Sequence, residues 1–540
     1  MTETVPQPPG APADDEAQWR RLSVRMLLIH PIREVGRAWP LLLGLLFLGT
    51  RSTENGQIWG LSGVAVVIGL GLSRWYTTTY RVSAEQVQVR RGLLRREILT
   101  VPRDRVRTVD VTASPLHRVL GLARVTIGTG LSDRRNDGLK LDALTAEEAA
   151  RLRMELLHRP AVPAPTGAVD PAAAEVPATP PAEIELTRLR LEWLRYGPFS
   201  LSGLLIVAVV LGFLSRLVNE ANVRIEPVLR VVHGLPRTPV WLAVLGVLLV
   251  GAVVVAITST AAYAVAFWGF RLSRQPGGTL HIVRGLLTSR SITIEERRLR
   301  GVELSEPLLL RLARGARCIA IATGLRVGRG AERGGSLLLP PAPRAEAVRV
   351  ASAVLGTAGS GTAVLGTAES GTAVLGTAES GTAAVADPVT VELVRHGPRA
   401  RRRRYTRALL TCALVPAGFG LLWWSGWPSW PALVSLPLLL VALPLAEDRY
   451  RALGHALSGH LLVIREGSLV RRRSMLTREG IIGWNLRQSF FQRRAGVITV
   501  EATTAAGRQR YAAQDVPVEL AVDLADRAIP GLLTPFLTSQ

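Results

Sequence analysis

Lysine is almost missing from this 540-residue chain. Lys140 is the single one, so the formal net charge of +23 at pH 7 rests on arginine. The two cysteines, Cys318 and Cys412, are too few for a disulfide framework. The lone lysine sits in Gly138-Leu139-Lys140 and cannot complete a G-x-x-x-x-G-K-[ST] phosphate loop; no H-E-x-x-H and no G-x-S-x-G occurs. Gly128-Thr129-Gly130 lacks the third glycine of a dinucleotide loop, and Gly328-Arg329-Gly330 reads as a turn. Of eight histidines only His455 and His460 are close, at a spacing that matches no standard ligand pair. No catalytic, cofactor-binding or metal residue is therefore expected, and the chain reads as a non-enzyme. Met1–Glu16 has neither the basic start nor the apolar core of a secretory signal and reads as a tail.

The mean hydropathy is +0.24 while the pI is about 11.4. One uniform surface cannot have both properties, so apolar blocks must alternate with basic ones. The basic runs flank apolar spans and are not interleaved with aromatics, which argues for a lipid bilayer as partner and against nucleic acid.

A bilayer core needs about 20 helical residues. Three pairs of spans approach or meet that: Ala38–Thr50 with Ile58–Ser73, Pro198–Val218 with Val240–Trp268, and Ala408–Trp427 with Trp430–Ala446. The first pair is short; an interfacial or re-entrant hairpin is the rival reading there. Arg20, Arg21, Arg25, Arg33 and Arg37 precede the first pair, and Arg399 and Arg401–Arg404 precede the third, whereas the turns inside these pairs carry one arginine and none. The positive-inside bias then predicts a multi-pass protein of the plasma membrane with both termini in the cytoplasm. The turn of the second pair, with Arg216, Arg224, Arg230 and Arg237, fits this least well. No ionisable residue lies at mid-depth in the spans, which argues against a proton or ion pathway.

A repeat follows the hairpins. Tyr80-Arg81, Phe270-Arg271 and Tyr450-Arg451 each open a copy. Each then has a short strand ending in arginine (Arg90, Arg284, Arg465), a turn glycine (Gly92, Gly285, Gly467) and a second strand. The glycine suits a hairpin position with positive φ. A distal arginine follows each glycine at one constant interval, from Gly92 to Arg118, from Gly285 to Arg311 and from Gly467 to Arg493. A turn precedes each of these arginines (Ser114-Pro115-Leu116, Glu306-Pro307-Leu308, Ser489-Phe490-Phe491). A further strand and an amphipathic helix close each copy. Thr145-Ala146-Glu147-Glu148 predicts a capping box in the first, and Asp515 is expected to cap the helix of the third.

The expected organisation is a tail at 1–24, hairpin 1 at 25–74 and a β-rich domain at 75–158. A Pro/Ala-rich linker at 159–185, hairpin 2 at 186–269 and a second domain at 270–355 follow. A low-complexity repeat linker at 356–389, hairpin 3 at 390–447, a third domain at 448–533 and a tail at 534–540 complete it.

These features resemble the bacterial PH-domain membrane proteins, the YdbS/YdbT-like family. The resemblance rests on the apolar hairpin, the aromatic-Arg entry, the strand-Arg-Gly-Leu-Leu turn and the distal arginine, and runs from about Arg25 to Leu533. It implies an α+β membrane protein with six transmembrane helices as three hairpins. Each hairpin would precede a PH-like domain of antiparallel β-sheets capped by a C-terminal helix. The third copy departs most, with Gly454, His455 and Gly459 in its first strand and Asn485 and Gln488 further on. The resemblance also implies an envelope-associated scaffold without catalytic activity, linked in some members to protection against antimicrobial peptides.

Two roles stand open for Arg81, Arg90, Arg118, Arg271, Arg284, Arg311, Arg451, Arg465 and Arg493: contact with anionic lipid headgroups, or structural pairing within the sheets. The leading expectation is a scaffold that binds a protein partner or forms a homo-oligomer. A handler of anionic lipid and an accessory of an export or transport system are the alternatives.

Overall fold

The structure, a computed structural model, describes residues 76–92, 96–128, 139–157, 183–199, 240–324, 336–358 and 389–531, apart from single positions within them. Part of 19–25 and positions 69 and 212 are also described. Nearly all of hairpin 1, most of the span Pro198–Val218, most of both linkers and of the N-terminal tail, and the C-terminal tail lie outside the described residues.

The described part is a mixture of helices and antiparallel sheets in a recurring order. The first copy has β1 (Arg20–Arg21), β2 (Thr79–Val82), β3 (Gln86–Arg91), β4 (Glu97–Pro102), β5 (Thr108–Ala113), α1 (Pro115–Val119), β6 (Leu122–Gly128), β7 (Leu139–Thr145) and α2 (Ala146–Leu157). The second follows β8 (Ile184–Arg188) and α3 (Val240–Phe267). It has β9 (Arg271–Gln275), β10 (Thr279–Arg284), β11 (Ser289–Glu295), β12 (Leu299–Pro307), α4 (Leu308–Leu312), β13 (Gly315–Ala322), β14 (Leu337–Pro343) and α5 (Arg344–Ala358). The third follows α6 (Gly397–Trp424), α7 (Trp430–Ser435) and α8 (Pro437–Arg451). It has β15 (Gly454–Ser458), β16 (Leu461–Glu466), β17 (Val470–Thr477), β18 (Gly483–Arg487), α9 (Phe490–Ala495), β19 (Val497–Thr503), β20 (Arg510–Pro517) and α10 (Val518–Ala528).

Two compact units divide the chain: Met1–Pro181 with Ile282–Thr293, and Ala182–His281 with Ile294–Gln540. In the first, β1 to β4 form one sheet in sequence order, and β7, β6, β5 and β11 lie side by side in another. Tyr80, Val87, Val89 and Val101 from the first sheet meet Val109, Val125, Ile127 and Leu141 from the second, and Ala149, Leu152 and Leu156 of α2 join the same core. Strand β6 alternates buried and half-buried residues, the period of two that a half-buried strand needs. Each such aliphatic side chain contributes about 1.5–3 kcal/mol when withdrawn from water. The capping box is present: the Thr145 amide donates to Glu148 Oε2 at 3.1 Å, and the Glu148 amide donates to Thr145 Oγ1 at 3.1 Å.

In the second unit β8 pairs with β9, a six-stranded sheet runs β14-β13-β12-β17-β16-β15, and β18-β19-β20 form a separate sheet. Leu462, Ile464 and Leu476 from the hairpin strands, Val500, Ala513 and Val516 from the three-stranded sheet, and Ala521 and Leu524 of α10 share one core.

Among the described residues, three helical stretches are long and apolar enough to cross a membrane: Leu249–Phe267, Gly397–Trp424 and Trp430–Arg451. Leu249, Val250, Ile257, Trp423, Trp424 and Trp430 are exposed on them. Apolar side chains facing outward along a whole helix suit lipid better than water.

The run Arg401–Arg404, which precedes the apolar span from Ala408, forms the first turns of the same helix, α6. Two local expectations are corrected. The turns before the distal arginines are short helices, α1, α4 and α9, and the arginines lie on them. Asp515 does not cap α10, whose start has no side-chain cap. It lies in β20 at φ +57°, buried, and its carboxylate accepts from Arg403, from Arg404 at 2.7 Å and from Gln492 at 3.0 Å.

Candidate functional site

The hairpin of each copy presents an outer strand, β4, β11 or β17, and the next sheet begins with β5, β12 or β18. Successive copies are joined on four of these edges. Strand β5 of the first copy pairs antiparallel with β11 of the second, from Ser289↔Ala113 to Thr293↔Val109. Strand β12 of the second pairs with β17 of the third, from Gly301↔Leu476 to Pro307↔Val470.

The register is the same in both junctions when each strand is counted from its own turn glycine. Ala113, counted from Gly92, faces Ser289, counted from Gly285. Gly301, counted from Gly285, faces Leu476, counted from Gly467, and the two offsets have the same total in both cases. A slip of one residue would turn every buried side chain to the wrong face, so a shared register is a specified one.

Charge marks the same positions. An acid stands at one fixed offset from the turn glycine, Asp110 after Gly92 and Glu303 after Gly285. It meets an arginine at a second fixed offset in the next copy, Arg290 after Gly285 and Arg472 after Gly467. Arg290 Nε donates to Asp110 Oδ2 at 3.0 Å. Glu303 is buried and sits 3.5 Å from Arg472 Nε and 2.8 Å from Arg508 Nη2. Arg508 also reaches Glu466 at 3.1 Å, so one guanidinium holds two carboxylates.

The distal arginines reinforce the joints. Arg118 Nη1 donates to the carbonyl of Leu286, beside the turn glycine of the next copy. Arg311 Nη2 is 3.0 Å from Asp448 Oδ1, at the end of the helix leading into the third copy. Arg471 donates to the same oxygen at 3.0 Å, and the Leu308 amide donates to the Leu469 carbonyl at 2.7 Å. Arg493 of the third copy is exposed, and its side chain has no hydrogen-bond or ion-pair partner among the described residues.

The other repeat positions are spread out. Gly92, Gly285 and Gly467 have φ of +105°, +106° and +92°. Arg81 and Arg90 are half-buried in β2 and β3, opposite Gln88 and Thr79. Arg271 is exposed, 3.5 Å from Glu185, and Arg284 is buried at the end of β10. Arg451 donates to Glu447 at 2.8 Å. Arg465 donates to the Ala452 carbonyl at 3.2 Å and the Arg451 carbonyl at 2.8 Å, and burial lowers its pKa from the usual arginine range. The sequence therefore finds the distal arginines but not their partners Leu286 and Asp448. It also misses the acids Asp110 and Glu303, although their fixed offset from Gly92 and Gly285 is a readable signal.

Paired edges, a two-sheet core and a closing helix recur in the copies. The family model for the bacterial PH domain matches residues 31–160 and 409–529, and each match takes in apolar stretches of the sequence as well as the strands behind them. These two stretches are similar to the bacterial PH domain. Most of the third copy, which departs most in sequence, is within the second match, and the middle copy repeats the strand order of the other two. Comparison with curated proteins and with solved structures gave no match. Bacterial PH domains beside apolar helices point to a role in membrane or protein association.

Proposed function

We propose that this chain is a non-enzymatic integral membrane scaffold. Six transmembrane helices in three hairpins would hold three PH-like domains and both termini on the cytoplasmic side of the plasma membrane, where the domains mediate protein association. The observation that carries the reading is the junction: within the chain, copies add strand to strand in one shared register flanked by arginine–carboxylate pairs, a mode that also suits a protein partner. Main-chain hydrogen bonds give such an edge its affinity, and side-chain pairs give it specificity. Chemical cross-linking in native membranes is expected to recover the chain in a complex of fixed stoichiometry. Recovery of a lone monomer, or turnover of a substrate in an unbiased activity screen, would overturn the proposal. Reporter fusions after Leu157, after Leu355 and at Gln540 are all expected to report the cell interior.

One further observation favours a second reading, binding of anionic lipid. A cleft of about 1090 Å³ at the foot of α6 is lined by Arg403, Arg404, Arg407 and Arg487 with Leu410 and Phe491. Asp515 and Glu501 also line it and pair with Arg403, Arg404 and Arg487, which leaves Arg407 as the arginine without a carboxylate beside it among the described residues. Arginine near a membrane surface contributes about 1 kcal/mol each toward anionic headgroups. Reconstituted protein should then bind a spin-labelled anionic lipid in preference to a zwitterionic one. The preference should fall with salt and be lost in Arg407→Glu; equal affinity for both lipids would remove the reading.

A further inference from the structure

Two edges of the repeat are left over. Each second-sheet edge strand has a partner in the following copy, except β18, the first strand of its sheet. Each outer hairpin strand has a partner in the preceding copy, except β4, the last strand of its sheet. Among the described residues neither has a strand on its outer side. Both edges are apolar where their counterparts are covered. Leu486 of β18 is 40% exposed, whereas Leu304, at the same position of the joined strand β12, is 2% exposed; Ile98 of β4 is 58% exposed. Exposed apolar edge strands are templates for pairing unless something covers them.

We propose that β18 of one chain pairs antiparallel with β4 of a second copy of the same chain, in the register of the internal junctions. This rests on the scaffold reading and names its partner. With the same offsets from Gly467 and Gly92, Arg487 faces Glu97, Leu486 faces Ile98, Asn485 faces Leu99 and Trp484 faces Thr100. The charges of the two edges complement each other in this pairing, although Arg487 also lies 3.5 Å from Glu501 of its own sheet. The internal junctions set an acid, Asp110 or Glu303, against an arginine, Arg290 or Arg472. At the free ends Glu97 takes the place of that arginine, and Asn485 replaces the acid that would repel it. Arg487, two residues on, supplies the cation opposite Glu97. Arg493, free on α9, stands where Arg118 and Arg311 stand, and so lies ready to donate to the turn beside Gly92 of the arriving copy. The contact is head-to-tail, so each addition regenerates both edges, and growth continues until a ring closes or the supply of chains ends.

The test uses full-length protein co-expressed in membranes with two different tags. One copy carries Ile98→Cys and the other Leu486→Cys. Antiparallel partners stand about 4.5–5.5 Å apart at Cα, within the range of about 4.4–6.8 Å that a disulfide accepts. Mild oxidation is expected to link the two tags. Leu99→Cys with Leu486→Cys, which points to the opposite face, is expected to link at least tenfold less. Glu97→Arg and Arg487→Glu should each weaken self-association roughly threefold to tenfold, and the two together should restore it. No link between the two tags, equal linking from Leu99→Cys, or a charge swap without rescue would overturn the pairing. Copies that cross-link only through other surfaces, or a different protein held at fixed stoichiometry, would overturn it while leaving the scaffold reading intact.

Discussion

A methyl group on Gly467 would stand 2.0 Å from the Val470 carbonyl oxygen, and on Gly285 2.1 Å from that of Thr288, both at positive φ. The backbone itself occupies that space, so no rotamer relieves the clash. Gly467→Ala is expected to destabilise the third hairpin by about 1–3 kcal/mol, read as a lower Tm of the purified protein. These glycines are legible in the sequence because a tight hairpin leaves few alternatives. Asp515 is not legible, since its Asp-x-Pro setting looks like a helix start. Its burial follows from Arg403 and Arg404, far upstream in the chain, which no local pattern reveals. Asp515→Asn leaves two guanidinium groups facing a neutral amide and should lower stability by about 3–5 kcal/mol, against under about 0.5 kcal/mol for Arg493→Ala, whose side chain lacks a partner among the described residues.

Among elements, β15 depends on a histidine pair. His396 Nδ1–H donates to the Gln514 carbonyl at 2.8 Å, leaving Nε2 to accept from His455 Nδ1–H at 3.0 Å. Burial pushes both imidazoles down to about 4, and the His396 ring further opposes a proton on His455. Asp515 and Arg404 act on His396, and Arg527 and Asp523 act on His455. A base that is harder to protonate when folded binds fewer protons in the native state than in the unfolded one. Stability is therefore complete above about pH 6.5 and falls as the pH drops toward 4. Thermal unfolding of the full chain should show this loss, and His455→Gln should flatten it. The main strands and closing helices are legible from their periods of two and 3.6. The short helices α1, α4 and α9 are not, because little more than one turn shows no period and Ser-Pro or Glu-Pro fits a turn equally well.

At the scale of the molecule, the triplicate plan is visible in the constant interval from turn glycine to distal arginine, and the family match falls on its first and third members. What the interval does not disclose is that the joints lie between copies, because a linear pattern records separation along the chain and not which edge meets which. Arg311→Ala tests the joint directly. It leaves Asp448 with Arg471 alone, and should cost about 1.5–3 kcal/mol and speed proteolysis between the second and third copies.

The uniform joint also bears on how such a gene can change. Asp110 and Glu303 are both acids, Arg290 and Arg472 are both arginines, and the offsets agree, so the first copy carries every feature by which the second grips the third. A chain deleted from 186 to 367 should therefore still fold, with Asp110 taking Arg472 as its mate. The number of modules is then free to drift by whole repeats.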